Sequence, residues 1–329
     1  NLAMLIPPVG YEGWKVRTIG DDIAWLHMDE SGQIWAINPE AGYFGVVPGT
    51  NEDDNENAYK AIQSNAIFTN VGLTDNNEPW WEGKKDGNPT IDWKGDEISP
   101  DEGVFAHPNS RFTVSAKNNP KYSSLADSPS GVPICAIVFG GRRSELAPLV
   151  YESKDWKHGV LVGASVGSET TAAATGEVGI VRRDPMAMKP FCGYNFADYW
   201  SHWLSFSGQS ERLPKIFHVN WFRKNEKGFI WPGFGDNLRV LEWIIKRCQN
   251  KIEALETPIG FLPNVNDIDT EGLEITDESM TDLFNIDQNQ WLQEMDSIKD
   301  YFSEYGDRMP EMLIEEHSKV VSALKDLSD

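Results

Sequence analysis

Residues 217–239 read FHVNWFRKNEKGFIWPGFGDNLR. An apolar run at 213–219 with strand character enters this stretch, and an apolar helical pattern at 238–248 leaves it. At 329 residues the chain has the size of one large α/β unit or of two ordinary domains. Within the stretch lie Phe217, Trp221, Phe222, Phe229, Trp231 and Phe234, a density well above the chain's 11% aromatic content. Aromatic faces sandwich planar ligands, glycines let backbone approach closely, and an amide such as Asn237 reads a donor/acceptor edge. The same composition also fits a core hairpin of buried Trp and Phe, and spacing alone leaves both readings open.

Upstream of this stretch the pattern is of short strands. Residues 14–19, 23–28, 34–37, 67–71, 134–139 and 160–164 read as strands, and residues 58–64 and 190–206 as helices. The segment after residue 71, to about 101, rich in Asp, Asn, Gly and Trp, reads as an irregular surface excursion. Downstream, Trp291, Met295, Ile298 and Phe302 recur at three-to-four spacing, as Met312, Glu316 and Val320 do less cleanly, so two amphipathic helices close the chain. The run NLAMLI at 1–6 has no capping group before it and is ended by Pro7-Pro8, like the middle of an element. The expectation is a chain cut from a longer protein within a helix.

Several loops carry chemistry. Asp21-Asp22, after Gly20, place two carboxylates at a break between strands, where hard cations find oxygen ligands and where turns also favour Asp. HPNSRF at 107–112 sets Asn109 beside Arg111. Phe139-Gly140-Gly141-Arg142-Arg143 puts exposed N–H groups and two guanidinium forks at a strand end, a possible anion cradle. GSETTAAATGEVG at 167–179 has glycine hinges and nothing large to bury, which suits either a lid or a plain linker.

The 329 residues hold 29 Lys and Arg against 51 Asp and Glu, a net charge of −22. Such a surface repels nucleic acid and anionic membranes, so any anion site is a local basic pocket. Three scattered cysteines, Cys135, Cys192 and Cys248, make neither a disulfide framework nor a CxxC site, which suits a reducing cytoplasm. No apolar run has the length of a membrane span.

Each motif is weak by itself; their order is not. The carboxylate pair, HPNSRF, FGGRR, the SETTAAA loop, and FHVNWFRK followed by FIWPGFGDN resemble the GTP-dependent phosphoenolpyruvate carboxykinases, a resemblance that runs from NLAM through the whole chain. It implies a mixed-sheet α/β core with two closing C-terminal helices. Residues 1–329 would form one nucleotide- and metal-binding carboxy-terminal domain, starting just after a Gly-Lys-Thr phosphate loop, with the amino-terminal half absent. The implied reaction is the gluconeogenic conversion of oxaloacetate and GTP to phosphoenolpyruvate, GDP and CO2, in a cytoplasmic monomer.

The resemblance also implies roles. Asp22 is a ligand of a catalytic Mn²⁺, with Asp21 its neighbour, and Mg²⁺ accompanies GTP or GDP. Asn109 and Arg111 contact oxaloacetate or phosphoenolpyruvate, and Arg142 contacts the transferred phosphoryl group. Trp221, Phe222, Phe229 and Phe234 bound guanine while Asn237 reads its edge; Phe217 and Trp231 stay in the core. The mobile lid comprises Thr170, Thr171, Ala172, Ala173, Ala174, Thr175, Gly176, Glu177, Val178 and Gly179. Two departures stand out: Lys189 occupies a position where the family carries arginine, losing a bidentate fork, and one residue is missing between Phe222 and Phe229. The chain alone is expected to be inactive and to bind GTP weakly. Two competing readings are a carbohydrate-binding module using Trp80, Trp81 and Trp231, and a structural half whose chemistry is lost.

Overall fold

The structure, a computed structural model, describes residues 2–53, 55–170 and 178–328. It divides into two compact units, Asn1–His27 with Trp35–Pro133, and Met28–Ile34 with Ile134–Asp329. Among the described residues no helix is long and apolar enough to cross a membrane.

The first unit contains, in chain order, all but the last residue of β1 (Trp25–Met28), all but the first of β2 (Ile34–Ile37), and β3 (Gly42–Val46), α1 (Glu56–Ala61), β4 (Ala66–Thr69), β5 (Gly72–Thr74), β6 (Pro79–Trp80), β7 (Pro89–Ile91), β8 (Arg111–Ser115) and β9 (Val132–Pro133). Its main sheet is antiparallel in the order β3-β8-β4. Along β8, Phe112 and Val114 are buried while Arg111, Thr113 and Ser115 are not, the period-two alternation of a strand with one face on a core. That core gathers Tyr43, Val47, Ile62, Trp81, Phe112 and Val114.

Two expectations fail in this unit. Residues 14–19 form no strand and supply only a bridge from Thr18 to Tyr122. The excursion after residue 71 is instead organised by a small sheet, β6-β5-β7. Its tryptophans face inward: Trp81 is 2% exposed, stacks on Phe68 at 5.5 Å and donates its indole N–H to the Thr50 carbonyl at 2.8 Å.

The second unit contains β10 (Ala136–Gly140), β11 (Val150–Glu152), α2 (Trp156–Ala164), β12 (Gly167–Glu169), β13 (Val181–Arg183), α3 (Phe196–Ser205), β14 (Lys215–Val219), β15 (Lys224–Asn225), β16 (Gly228–Phe229), α4 (Asn237–Cys248), β17 (Leu255–Thr257), β18 (Gly260–Leu262), α5 (Asp277–Phe284), α6 (Gln288–Ser303) and α7 (Glu311–Lys325). Five strands form a mixed sheet in the order β10-β14-β11-β18-β17, in which β10 and β14 run parallel and the other pairs antiparallel. This is the mixed-sheet α/β architecture expected from the sequence.

The run at 160–164, expected as a strand, belongs to α2. A short unbroken apolar run has no period that separates a buried strand from a buried helix. Here Asp155 caps the helix by accepting the His158 N–H at 2.8 Å, and the helix is apolar on nearly every side because it is buried on nearly every side. Gly163 allows the close approach: a Cβ there would stand 2.6 Å from the Phe139 ring on β10.

The closing helices match their spacing. Trp291, Met295, Ile298 and Phe302 of α6 are buried, as are Glu316 and Val320 of α7, whereas Met312 is 37% exposed. The shorter α5 precedes them, capped by Thr276, whose hydroxyl accepts the Ser279 N–H at 3.2 Å.

Candidate functional site

In the second unit the site grows from the ends of two parallel neighbours. β10 runs into Gly141 and Arg142, and β14 runs into Asn220, Trp221 and Phe222. Gly141 is required: a Cβ there would lie 2.3 Å from the Gly167 carbonyl oxygen of β12. The backbone of Arg142 is then held on both sides. Its N–H donates to the Ser168 hydroxyl at 3.1 Å, and its carbonyl accepts the Glu169 N–H at 2.8 Å.

Arg142 and Arg143 diverge. Arg143 gives a bidentate pair to Glu294 at 3.0 and 3.1 Å, and Arg183 reaches the same carboxylate at 2.7 Å. Burial acts to raise the Glu294 pKa, and the hydrogen bonds and charges of Arg143 and Arg183 outweigh it, leaving the carboxyl below its ordinary value. Arg142 makes no ion pair among the described residues. Its guanidinium carbon lies over Phe222, 3.9 Å from the ring centroid.

Phe222 meets Phe229 edge to face at 6.0 Å, and the Lys224 ammonium lies 4.8 Å from the Phe229 ring, which is itself 54% exposed. A short hairpin, β15 with β16, pairs Lys224 with Phe229 and sets that ring beside Phe222. Trp221 packs against a second core cluster with Phe217 and Trp231. Phe234 opens the 3-10 turn Phe234–Asp236, which leads into Asn237, the first residue of α4. Asn237 is buried, and its side-chain oxygen accepts the Trp231 indole N–H at 2.9 Å, so the Nδ2 donor is what remains for a ligand.

The sequence did not point to Asn220. Fully buried, it accepts the N–H groups of Arg143 and Phe222 on one oxygen, both at 3.2 Å, and donates to the carbonyls of Arg143 and Ala147, both at 2.9 Å. One amide thus ties the Arg142 loop to the Phe222 loop. Its only mark in the sequence is a polar residue at the end of an apolar strand. Glu294, 151 residues from Arg143, leaves no local mark at all.

The segment expected as a lid is described only at its ends. The Thr170 N–H donates to the Ile180 carbonyl and the Gly179 N–H to the Thr170 carbonyl, each at 2.9 Å, and Val178 is 67% exposed. Thr171, Ala172, Ala173, Ala174, Thr175, Gly176 and Glu177 lie outside the described residues. A cleft of about 370 Å³ adjoins this region, but Arg143, Glu169 and Glu294 in its wall are already bonded to one another or to Ser144.

In the first unit, Phe44 is the hub. Its backbone N–H donates to the Asp21 carboxylate at 2.9 Å, and the Arg111 guanidinium stands 5.5 Å from its ring. Asn109 steadies that arginine by accepting its Nε–H at 2.9 Å. Asp21, Asn109 and Arg111 are therefore grouped around one exposed face of β3 and β8, and Asp22 follows Asp21 in the chain. Glu40 draws the acidic turn together, one oxygen accepting the N–H groups of Asp21, Asp22 and Ile23 at 2.9–3.3 Å. Although its surface is largely exposed, the Asp21 carboxyl is raised above its ordinary value, mainly by desolvation, with the charges of Asp22 and Glu40 adding and the Phe44 N–H opposing.

Carboxylates crowded in this way suit a cation, and their hard oxygens suit Mn²⁺ or Mg²⁺. The fit is partial. Among the described residues no group of three or more His, Cys, Asp or Glu side chains is arranged to hold a metal ion.

The carbohydrate reading loses its surface. Trp81 and Trp231 are 2% and 1% exposed, and Trp80 stands edge-on to Phe105 at 5.5 Å, so the three do not form an open aromatic platform.

Residues 1–323 match the family model described as the phosphoenolpyruvate carboxykinase C-terminal P-loop domain. Proteins named phosphoenolpyruvate carboxykinase [GTP] are similar throughout. That of Anaeromyxobacter dehalogenans strain 2CP-1 is 50% identical over 317 residues, covering 95% of this chain and 53% of its own length. That of Chlamydia muridarum is 50% identical over 329 residues, 99% of this chain and 55% of its own. That of Renibacterium salmoninarum is 49% identical over 323 residues, 96% of this chain and 53% of its own. The chain spans about half the length of the curated relatives it matches.

Proposed function

Since the chain belongs to the GTP-dependent phosphoenolpyruvate carboxykinase family, we propose that it supplies the nucleotide-binding and part of the metal-binding machinery of an enzyme converting oxaloacetate and GTP to phosphoenolpyruvate, GDP and CO2. The observation that carries this reading is the Arg142 guanidinium lying 3.9 Å from the Phe222 ring centroid. A cation suited to phosphoryl oxygens and a ring suited to a purine thus belong to one locus, joined by Asn220.

The chemistry sets what the side chains must do. Decarboxylation breaks a C–C bond and leaves its electron pair as an enolate; the enolate oxygen then displaces GDP at the γ-phosphorus. Asp22 with Asp21 would hold Mn²⁺, and Mg²⁺ would enter with the nucleotide, the ions supplying positive charge where negative charge develops. Arg111, held by Asn109 over Phe44, orients the carboxylate of oxaloacetate. Arg142 neutralises the phosphoryl oxygens in flight. Phe222, Phe229, Trp221 and Phe234 enclose guanine, and the Asn237 Nδ2 donates to its edge. The lid from Thr170 to Gly179, on its hydrogen-bonded stem, excludes the water that would protonate the enolate to pyruvate. These are the activities of a cytoplasmic enzyme acting as a monomer on small molecules.

Titration calorimetry of GDP and ADP into a protein of the relatives' full length tests the nucleotide site. Tighter binding of GDP is expected, with Phe222→Ala weakening it about tenfold, or ~1.4 kcal/mol. Equal affinities for the two nucleotides, or an unchanged GDP affinity in Phe222→Ala, would count against the assignment. The 329 residues alone are expected to give no oxaloacetate-dependent phosphoenolpyruvate, and a coupled assay that detects it would overturn that expectation. In a protein of the relatives' full length, Arg142→Ala is expected to lower kcat by about 10²-fold with a smaller change in KM.

A further inference from the structure

Cys135 and Cys248 are 113 residues apart in sequence and adjacent in the fold. Cys135 is the residue before β10, and Cys248 is the last residue of α4. The Cys248 thiol donates to the Cys135 carbonyl oxygen at 3.3 Å, which sets the two cysteines side by side. A disulfide needs Cα atoms about 4.4–6.8 Å apart, and the Cys248 sulfur already touches the backbone of Cys135. Cys135 is exposed and Cys248 partly so. The third cysteine, Cys192, bonds instead to the Tyr194 carbonyl at 3.4 Å.

We propose that Cys135 and Cys248 form a thiol–disulfide exchange site for small peptide disulfides, in which Cys135 attacks and Cys248 resolves. The Cys135 thiolate attacks one sulfur of the small disulfide; a new S–S bond forms and the first small thiolate leaves. Cys248, giving its proton to solvent, then attacks the Cys135 sulfur and expels the second. The protein dithiol loses two electrons to the small disulfide, which departs as two thiols carrying two protons.

The environment suits these roles. The neighbouring Cys248 thiol holds the Cys135 thiol down at about 6, while the same proximity, followed by burial, pushes Cys248 up. Lys215 and Glu152 are the charged groups acting on Cys248, and they oppose one another. Thiolate is therefore concentrated on the exposed sulfur, the one a soluble disulfide reaches first. The bridge would staple the start of β10 to the end of α4, the ends remote from Arg142 and Asn237, and would constrain a long loop of the unfolded chain.

The test incubates the protein with oxidised glutathione, quenches with acid, alkylates and maps peptides by mass. A Cys135–Cys248 crosslink is expected, reversed by dithiothreitol and accompanied by a Tm rise of several degrees. In Cys248→Ala the reaction should stop at a glutathione adduct on Cys135. Thiols left reduced, a persistent adduct in the unsubstituted chain, or a crosslink through Cys192 would each overturn the proposal. A second measurement avoids dependence on the crosslink: the iodoacetamide rate at Cys135 should rise with a midpoint near 6 and move upward by a pH unit or more in Cys248→Ala. An unmoved midpoint there refutes the pairing.

Discussion

Asn220 makes four hydrogen bonds with a single amide, and each of its partners belongs to a loop that carries a site residue or adjoins one. Replacing it with alanine removes four hydrogen bonds from buried and part-buried backbone groups, so Asn220→Ala is expected to cost about 3 kcal/mol in urea denaturation. Removing Arg142, by contrast, breaks no ion pair among the described residues and is expected to change stability by under about 1 kcal/mol. Glu294 behaves differently again, since Arg143 and Arg183 both depend on it. Glu294→Gln leaves two guanidinium groups facing a neutral amide, at a cost of about 3 kcal/mol. Because the folded pKa of Glu294 is depressed, its contribution is present above the unfolded value near 4.3 and is lost as pH falls through the folded one. The stability gap between the unsubstituted chain and Glu294→Gln should therefore close below about pH 4; a gap that persists there would show that charge is not its source.

At the scale of elements, α2 separates propensity from packing. In an isolated helix Gly163→Ala would stabilise by about 1 kcal/mol. Here the added methyl meets the Phe139 ring at 2.6 Å, and overpacking of that kind costs about 1–3 kcal/mol. The expected net result is destabilisation of about 1 kcal/mol, seen as a lower urea midpoint; a raised midpoint would mean that Phe139 yields freely. The same helix marks a limit of sequence reading. Residues 160–164 present only apolar side chains, so no alternation or three-to-four period exists to be read. α6 was legible because only one of its faces is buried, and β14 and α4 because a turn-rich aromatic loop separates two regular patterns. The sheet β6-β5-β7 was not, because its strands are two or three residues long and have almost no pattern.

For the whole molecule, acid sensitivity follows from two buried histidines. His158 and His218 are each depressed to about 4, chiefly by burial, which disfavours the imidazolium. Between about pH 6.5 and 4 the unfolded chain binds protons that the folded chain does not, so stability falls as pH falls, by up to roughly 1.4 kcal/mol per pH unit for each histidine. Urea titrations at pH 7, 6 and 5 should show that slope, and His158→Gln should remove one histidine's share of it; a flat profile would contradict the burial. What the sequence by itself determined is what order and local pattern can carry: the α/β class, the paired closing helices, the run of motifs that marks the family, and the identity of Arg142, Phe222, Asp21 and Arg111 as residues to watch. Tertiary structure alone decided that the Arg142 guanidinium lies on the Phe222 ring, that Asn220 holds both loops, that Arg143 is consumed by Glu294, and that Cys135 meets Cys248. Those contacts join residues up to 151 positions apart, and a pair with no shared period or motif becomes visible only when packing brings its two members within bonding distance.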